Sequence, residues 1–236
     1  MKKITIIGIC IILQACATVG SMNRPDSYYS ANNEEGSGSL LNSTSTLHDE
    51  KINALLYDRI KLPKQIRIAI LKMSKDNYWR FYSSDFTQLN DSISRSLIDK
   101  LRSSPRVYDA SFLPAMLVPE KRTVPVLREA AARFQSDLLL AYRSSCNSYQ
   151  KHRFISPDET RSYCSVETVL LDIRKGIVGK SVVTTQEFNA VKKTSDTNFG
   201  ETIKKSELEA LSKALGEIAD EVVNYLNTVP LLDKNL

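Results

Sequence analysis

Histidine is nearly absent from this chain: His48 and His152 are the only two in 236 residues, and neither accompanies a Ser or Cys in a nucleophile-elbow setting. The sequence has no Gly-x-Ser-x-Gly, no Walker loop, no Gly-x-Gly-x-x-Gly and no His-Glu-x-x-His. Serine-hydrolase, nucleotide-binding and zinc-hydrolase chemistry therefore have no motif to rest on. The carboxylates are many, but their spacing singles out no acid–base pair. Beyond the first residues no apolar run approaches the roughly 18 residues that read as a membrane-spanning helix. Charge of one sign is scarce as well. The formal net charge is +5, with Lys2 and Lys3 contributing two of the five, which is too little to argue for nucleic acid. These absences lead us to expect a protein that is not an enzyme, with no cofactor, no metal and no nucleic-acid partner.

The start of the chain is distinctive. Met1-Lys2-Lys3 precedes an apolar run from Ile4 to Leu13, too short to span a bilayer of about 30 Å. Leu13-Gln14-Ala15-Cys16 follows and reads as a cleavage site. It resembles the bacterial lipobox, with Gln14 as the departure at the most permissive position. The resemblance implies cleavage after Ala15, a diacylglyceryl group on the Cys16 sulfur and acylation of the new amino terminus. Two or more acyl chains hold a protein stably, because each buried CH₂ contributes about 0.8 kcal/mol. Cys10 is a poor competitor, since the bulky Ile9 precedes it. Ala17 stands where, by resemblance to the sorting rule, Asp would retain a lipoprotein in the inner membrane, which favours the outer membrane with the protein facing the periplasm. The competing reading is a plain secretory signal or a buried amino-terminal strand.

The expected organisation is a signal peptide over 1–15, a lipidated flexible tether over 16–46, one α+β domain over 47–230 and a tail over 231–236. The tether is rich in Ser, Asn, Gly and Thr, a composition that buries too little apolar area to offset its ordering entropy. Apolar content of 42% with 25% charged residues is ordinary for a globular domain.

Periodicity orders the domain. Ile52, Leu55, Leu56 and Ile60 recur at helical spacing before Pro63. Ile66, Ile68 and Ile70 alternate as a strand. A helix follows, capped by Ser84 or Asp85, with Phe86, Leu89, Ile93, Leu97 and Leu101 on one stripe. Val107 to Phe112 is a second strand, and Thr123-Val124-Pro125 opens a helix buried through Leu127, Ala130, Ala131 and Phe134. Three strands succeed one another at about 137–148, 163–173 and 178–191, the last two joined by a turn at Arg174-Lys175-Gly176. A closing helix starts near Ser206, with Ser206 and Glu209 as a capping box. The fold class is α+β, a mixed sheet of about five strands in the order β-α-β-α-β-β-β-α with helices packed on it. The first β-α-β connection should be a parallel crossover.

Cys146 and Cys164 remain once Cys10 and Cys16 are accounted for, an even pair in an oxidising compartment and hence disulfide candidates. Metal binding is the alternative, but two Cys 18 apart and two distant His give no ligand spacing. If the two cysteines oppose each other across a hairpin, Tyr142 meets Thr168, Leu140 meets Leu170, Leu138 meets Asp172, Leu139 meets Leu171 and Arg143 meets Glu167. Such opposite charges stabilise a ladder by about 0.2–1 kcal/mol.

Two features are candidates for partner binding. Tyr78, Trp79, Arg80, Phe81 and Tyr82 combine the only Trp with an Arg among aromatics, the residue types enriched at interface hot spots. The alternative is that they cover the end of the sheet. Arg153 and Phe154 sit in the basic loop Gln150-Lys151-His152-Arg153-Phe154 at the hairpin tip, which otherwise reads as solvated surface. Lys192-Lys193 and Lys204-Lys205 read as solvated.

The lipobox, the tether, the strand Ile66 to Leu71 with its helix and second strand, and the run Ala130 to Leu140 entering the third strand are together similar to periplasmic lipoproteins of the curli-secretion-channel type. The penicillin-binding-protein activator lipoprotein B and the TolB amino-terminal domain share that architecture. Val169 to Gly176 resembles the family's strand and turn in which an Asp precedes a Gly. The resemblance covers about residues 60 to 227 and implies no catalytic residues. The resulting expectation is a non-enzymatic, membrane-anchored accessory or assembly factor that binds another envelope protein. The alternatives are an activator of a peptidoglycan synthase and a cryptic hydrolase.

Overall fold

The computed structural model describes Leu40, residues 47–73 and residues 84–232. The expected signal peptide, Cys16, the tether apart from Leu40, and Tyr78, Trp79, Arg80, Phe81 and Tyr82 lie outside those residues.

The elements follow one another as α1 (Asp49–Tyr57), β1 (Ile66–Lys72), α2 (Ser84–Arg102), β2 (Val107–Phe112), α3 (Val124–Arg133), β3 (Leu138–Lys151), β4 (Glu159–Asp172), β5 (Val178–Val191) and α4 (Phe199–Thr228). The five strands form one mixed sheet in the order β2-β1-β3-β4-β5. β1 runs parallel to both β2 and β3, with α2 and α3 as the crossovers, while β3, β4 and β5 form an antiparallel meander.

Side-chain alternation divides the sheet into two apolar faces. Ile66, Ile68, Ile70, Leu138, Leu140, Val166 and Leu170 face α2 and α4 in the larger core. Ala69, Leu71, Leu139 and Leu171 face α3 through Leu127 and Ala131. β1 is buried on both sides, as its unbroken apolar run requires. Leu40, within the stretch expected to be tether, packs against the α3 core, and the Val124 N–H donates to its carbonyl at 2.9 Å.

β1 pairs with β3 only as far as Tyr142. Beyond it the sheet narrows to the three long strands, each of 14 residues. At about 3.4 Å per residue these reach roughly 46 Å. The 30 residues of α4 span about 45 Å, so one helix covers the meander from end to end. At its carboxyl end Arg106 caps the helix, donating to the carbonyls of Leu226 and Val229 at 2.6 Å each. Leu62 N–H donates to Pro230 and Leu232 N–H to Leu62, so the first residues of the expected tail are held to the domain. Gly176, at φ +73°, makes the β4–β5 turn, and Gly179 lets Tyr225 and Ile60 approach where a Cβ would stand 2.5 Å from the Tyr225 hydroxyl.

Two expectations need correction. The closing helix begins seven residues before Ser206. Its N-cap is Asn198, whose Oδ1 accepts the Glu201 N–H at 3.0 Å while a Glu201 carboxylate oxygen accepts the Thr197 N–H at 3.1 Å. That is a capping box two turns upstream of the expected one, and the Ser206 hydroxyl instead donates to the Phe188 carbonyl at 3.0 Å. Nor are Lys204 and Lys205 solvated: both are drawn into carboxylates at the amino-terminal end of α4.

Candidate functional site

The β3–β4 hairpin is set by a register in which every expected pair occurs: Leu138 with Asp172, Leu139 with Leu171, Leu140 with Leu170, Tyr142 with Thr168 and Arg143 with Glu167. Arg143 and Glu167 form an ion pair on the solvent face at 2.5 Å. Cys146 and Cys164 oppose each other and are joined as a disulfide. The bond lies on the face covered by α4, with Cys164 fully buried. Closing 18 residues contributes about 3 kcal/mol in the chain-entropy model.

Between the disulfide and the tip the inward positions turn polar, and α4 answers them. The Ser148 hydroxyl lies 2.8 Å from both the Ser162 hydroxyl and a Glu207 carboxylate oxygen, and Lys204 reaches Glu207 at 2.6 Å. One turn away Lys205 binds Asp196 at 2.9 Å and Glu201 at 2.8 Å, with Asp85 at 3.9 Å. Glu201 and Asp196 are almost completely buried. Burial alone would raise the Asp196 pKa, but the Lys193 N–H, the Thr202 hydroxyl and Lys205 outweigh it and hold the carboxyl below its usual range. Burial would likewise lower Lys205, and its two carboxylates hold it above the usual lysine value. This cluster fastens the helix start onto the distal hairpin.

Past it the tip, residues 152–158, projects into solvent. Phe154 and Ile155 are fully exposed, while the loop behind them is tied down. The Arg153 N–H donates to Asp158 at 3.0 Å, the Arg153 guanidinium binds Glu159 at 2.7 Å, and His152 Nδ1 lies 3.3 Å from Asp158. The Arg153 backbone donor is the main reason that the Asp158 carboxyl sits below its usual pKa, with His152 adding to it. The His152 ring meets Phe199 edge-on at 5.4 Å, joining the tip to the start of α4. Lys151, Lys192 and Lys193 are exposed at the same end of the meander, with the Lys192 N–H donating to the Asp158 carbonyl. The tip is thus a braced loop that presents an aromatic and an aliphatic side chain at a lysine-bearing end of the sheet.

The structure brings Arg153, Phe154, Cys146 and Cys164 onto one hairpin. Tyr78 to Tyr82 lie outside the described residues, although their flanks are visible: Met73 N–H donates to the Tyr142 carbonyl, and Asp85 neighbours Lys205. Ile155 was missed in the sequence because it looks like one more residue of a polar loop; its exposure next to Phe154 is the informative fact. Among the described residues no group of three His, Cys, Asp or Glu is placed to hold a metal, and no helix is long and apolar enough to cross a membrane.

No protein-family model matches the chain, and no curated protein does. Solved structures resemble it in fold. A hypothetical protein from Chlamydia trachomatis aligns at 13% identity with a TM-score of 0.39, covering 69% of this chain and 98% of that one. A minor lipoprotein from Acinetobacter baumannii aligns at 10% identity and a TM-score of 0.32, over 73% and 98%. The PelC dodecamer from Paraburkholderia phytofirmans aligns at 13% identity and a TM-score of 0.33, over 69% and 91%. The likeness is to the arrangement of helices and sheet, and no activity, partner or assembly is taken from it.

Proposed function

We propose that this protein is a non-enzymatic, lipid-anchored accessory factor of the bacterial envelope, which binds another envelope protein through the tip of its β3–β4 hairpin. The observation that carries the proposal is the full exposure of Phe154 and Ile155 on a loop braced from behind by Asp158 and Glu159. An unbraced loop would lose conformational entropy on binding; a braced one has lost it already. The partner implied is a protein with an apolar pocket and an acidic rim, matching the Phe and Ile at the end of the sheet that bears Lys151, Lys192 and Lys193. Anchoring at Cys16 in the outer membrane, facing the periplasm, is supported by the lipobox, by Ala17 in place of an Asp after the lipidated Cys, and by the resemblance to lipoproteins of the curli-secretion-channel type.

The test is in-cell crosslinking of the full chain followed by mass spectrometry, comparing it with a Phe154→Asp/Ile155→Asp variant. Loss of one envelope protein from the captured set, at an unchanged unfolding midpoint, supports the proposal. Capture at full strength removes the tip from it, and Trp79→Ala then asks the same question of the aromatic segment.

A further inference from the structure

We infer that α1 lies on the surface of the bilayer that holds the chain's own lipid anchor. The inference rests on the proposed lipidation at Cys16. Ile52, Leu55 and Leu56 recur at three- and four-residue spacing on α1, the pattern of a helix with one apolar stripe. Such a stripe on a domain surface is ordinarily buried, yet no residue of α1 is, and Leu56 and Tyr57 are 66% and 85% exposed. Just past the carboxyl end of the helix, Lys175 Nζ binds the Asp58 carboxylate and the Arg59 carbonyl. Beneath it, between Leu47, Ala54 and Leu55 on one side and Val124, Arg128 and Gly176 on the other, lies an open cavity of about 360 Å³. Among the described residues, nothing buries this stripe: Ile52 and Leu55 are partly exposed, and Leu56 is open to solvent.

What covers it follows from where the chain leads. Leu40, fixed to Val124, places the entry of the chain beside the same helix α3 that flanks the cavity. Only residues 17–39 separate Leu40 from Cys16. The intervening chain can reach at most about 80 Å. The anchor thus holds α1 at high effective concentration over the membrane, so a contact too weak to bind alone suffices. Charge agrees: Lys51, Arg59, Lys61 and Lys64 outnumber Asp49, Glu50 and Asp58 along this segment, and Lys175 pairs with Asp58 beside it. A nine-residue amphipathic helix with basic flanks suits the headgroup boundary of a bilayer containing anionic lipid.

The experiment uses the full lipidated protein in vesicles of phosphatidylethanolamine with phosphatidylglycerol. A polarity-sensitive fluorophore is attached at Leu56→Cys or, as control, at Met116→Cys, which is 98% exposed after β2. With Cys16 acylated and Cys146 bonded to Cys164, the new thiol alone reacts. A blue shift on reconstitution at position 56 and none at 116 is the expected result. Co-flotation with vesicles but no shift at 56 overturns the inference and leaves the anchor standing. Failure to float overturns the anchor, and the inference with it. An equal shift for an unlipidated Cys16→Ser form made without residues 1–15, in buffer, means that a protein surface covers α1, and also overturns it. Because α1 contributes nothing to the core, neither label threatens the fold.

Discussion

Replacing Lys205 by Met tests whether the ionic cluster under the hairpin is as interdependent as its geometry implies. Met keeps most of the stem's volume and removes the charge, leaving Asp196 and Glu201 buried without their shared cation. Taking one partner from a buried pair costs about 3–5 kcal/mol. The lower end applies here, since Lys205 is partly exposed and both carboxylates keep backbone donors from Lys193 and Thr197. For a domain of this size, about 3 kcal/mol lowers Tm by about 6–12 °C. The pH dependence adds a second signature. In the native protein Asp196 is depressed, so its contribution is present above its unfolded pKa and is lost as pH falls through the folded value. Lys205 is raised, so its contribution is present below its unfolded pKa and lost as pH rises through the folded value. Between these limits Asp196 and Lys205 are both charged. In the variant the stranded Asp196 carboxylate takes up a proton at higher pH than in the native protein, so the gap in stability narrows as pH is lowered from 7 to 4. Urea unfolding of a soluble Cys16→Ser form made without residues 1–15 measures both. A loss under about 1 kcal/mol at pH 7, or one that does not change with pH, would refute the reasoning.

Three further outcomes follow from the structure. Replacing Cys146 and Cys164 together by Ser should lower stability by about 3 kcal/mol while circular dichroism shows the strands retained, because the register is also fixed by apolar pairing and Arg143–Glu167. Asn198→Ala should cost about 1 kcal/mol as a lost cap and Glu209→Ala less than about 0.5 kcal/mol, an order that the reverse result in urea titrations would contradict. Arg106→Met leaves the carbonyls of Leu226 and Val229 without their donor, at a cost of about 2–3 kcal/mol by the penalty for unpaired buried groups, with amide exchange fastest in the last turn of α4.

The sheet was legible because its strands carry strong alternation, and β2 and β5 fall where periodicity puts them. The hairpin was legible for a different reason: two cysteines fixed one pairing, and Arg143 opposite Glu167 and the Leu pairs agreed with it. The helix start was hidden because Thr197-Asn198-Phe199-Gly200 reads as loop, and the Glu201 that completes its cap is a charge among charges. Lys204 and Lys205 looked solvated because the helix was expected to start after them; with α4 starting at Phe199, Glu207 and Glu201 fall three and four residues away on the same helix, and only Asp196 is brought in by the turn before it. Leu40 gave no periodic signal, since the pair Leu40-Leu41 in a polar stretch has no pattern to join.

The narrowing of the sheet beyond Tyr142 makes the distal meander a measuring rod. Its base carries α1, Leu40 and the β4–β5 turn, and its far end carries Phe154 and Ile155, separated by the roughly 46 Å of a 14-residue strand. Were the base at the bilayer, as inferred for α1, the tip would be offered at one height, set by the count of residue pairs in the hairpin. Excising two residues from each of its strands would preserve which side chains face inward and lower that height by about 7 Å. A partner seated at a fixed depth in the envelope would then be out of reach of a tip whose chemistry was untouched.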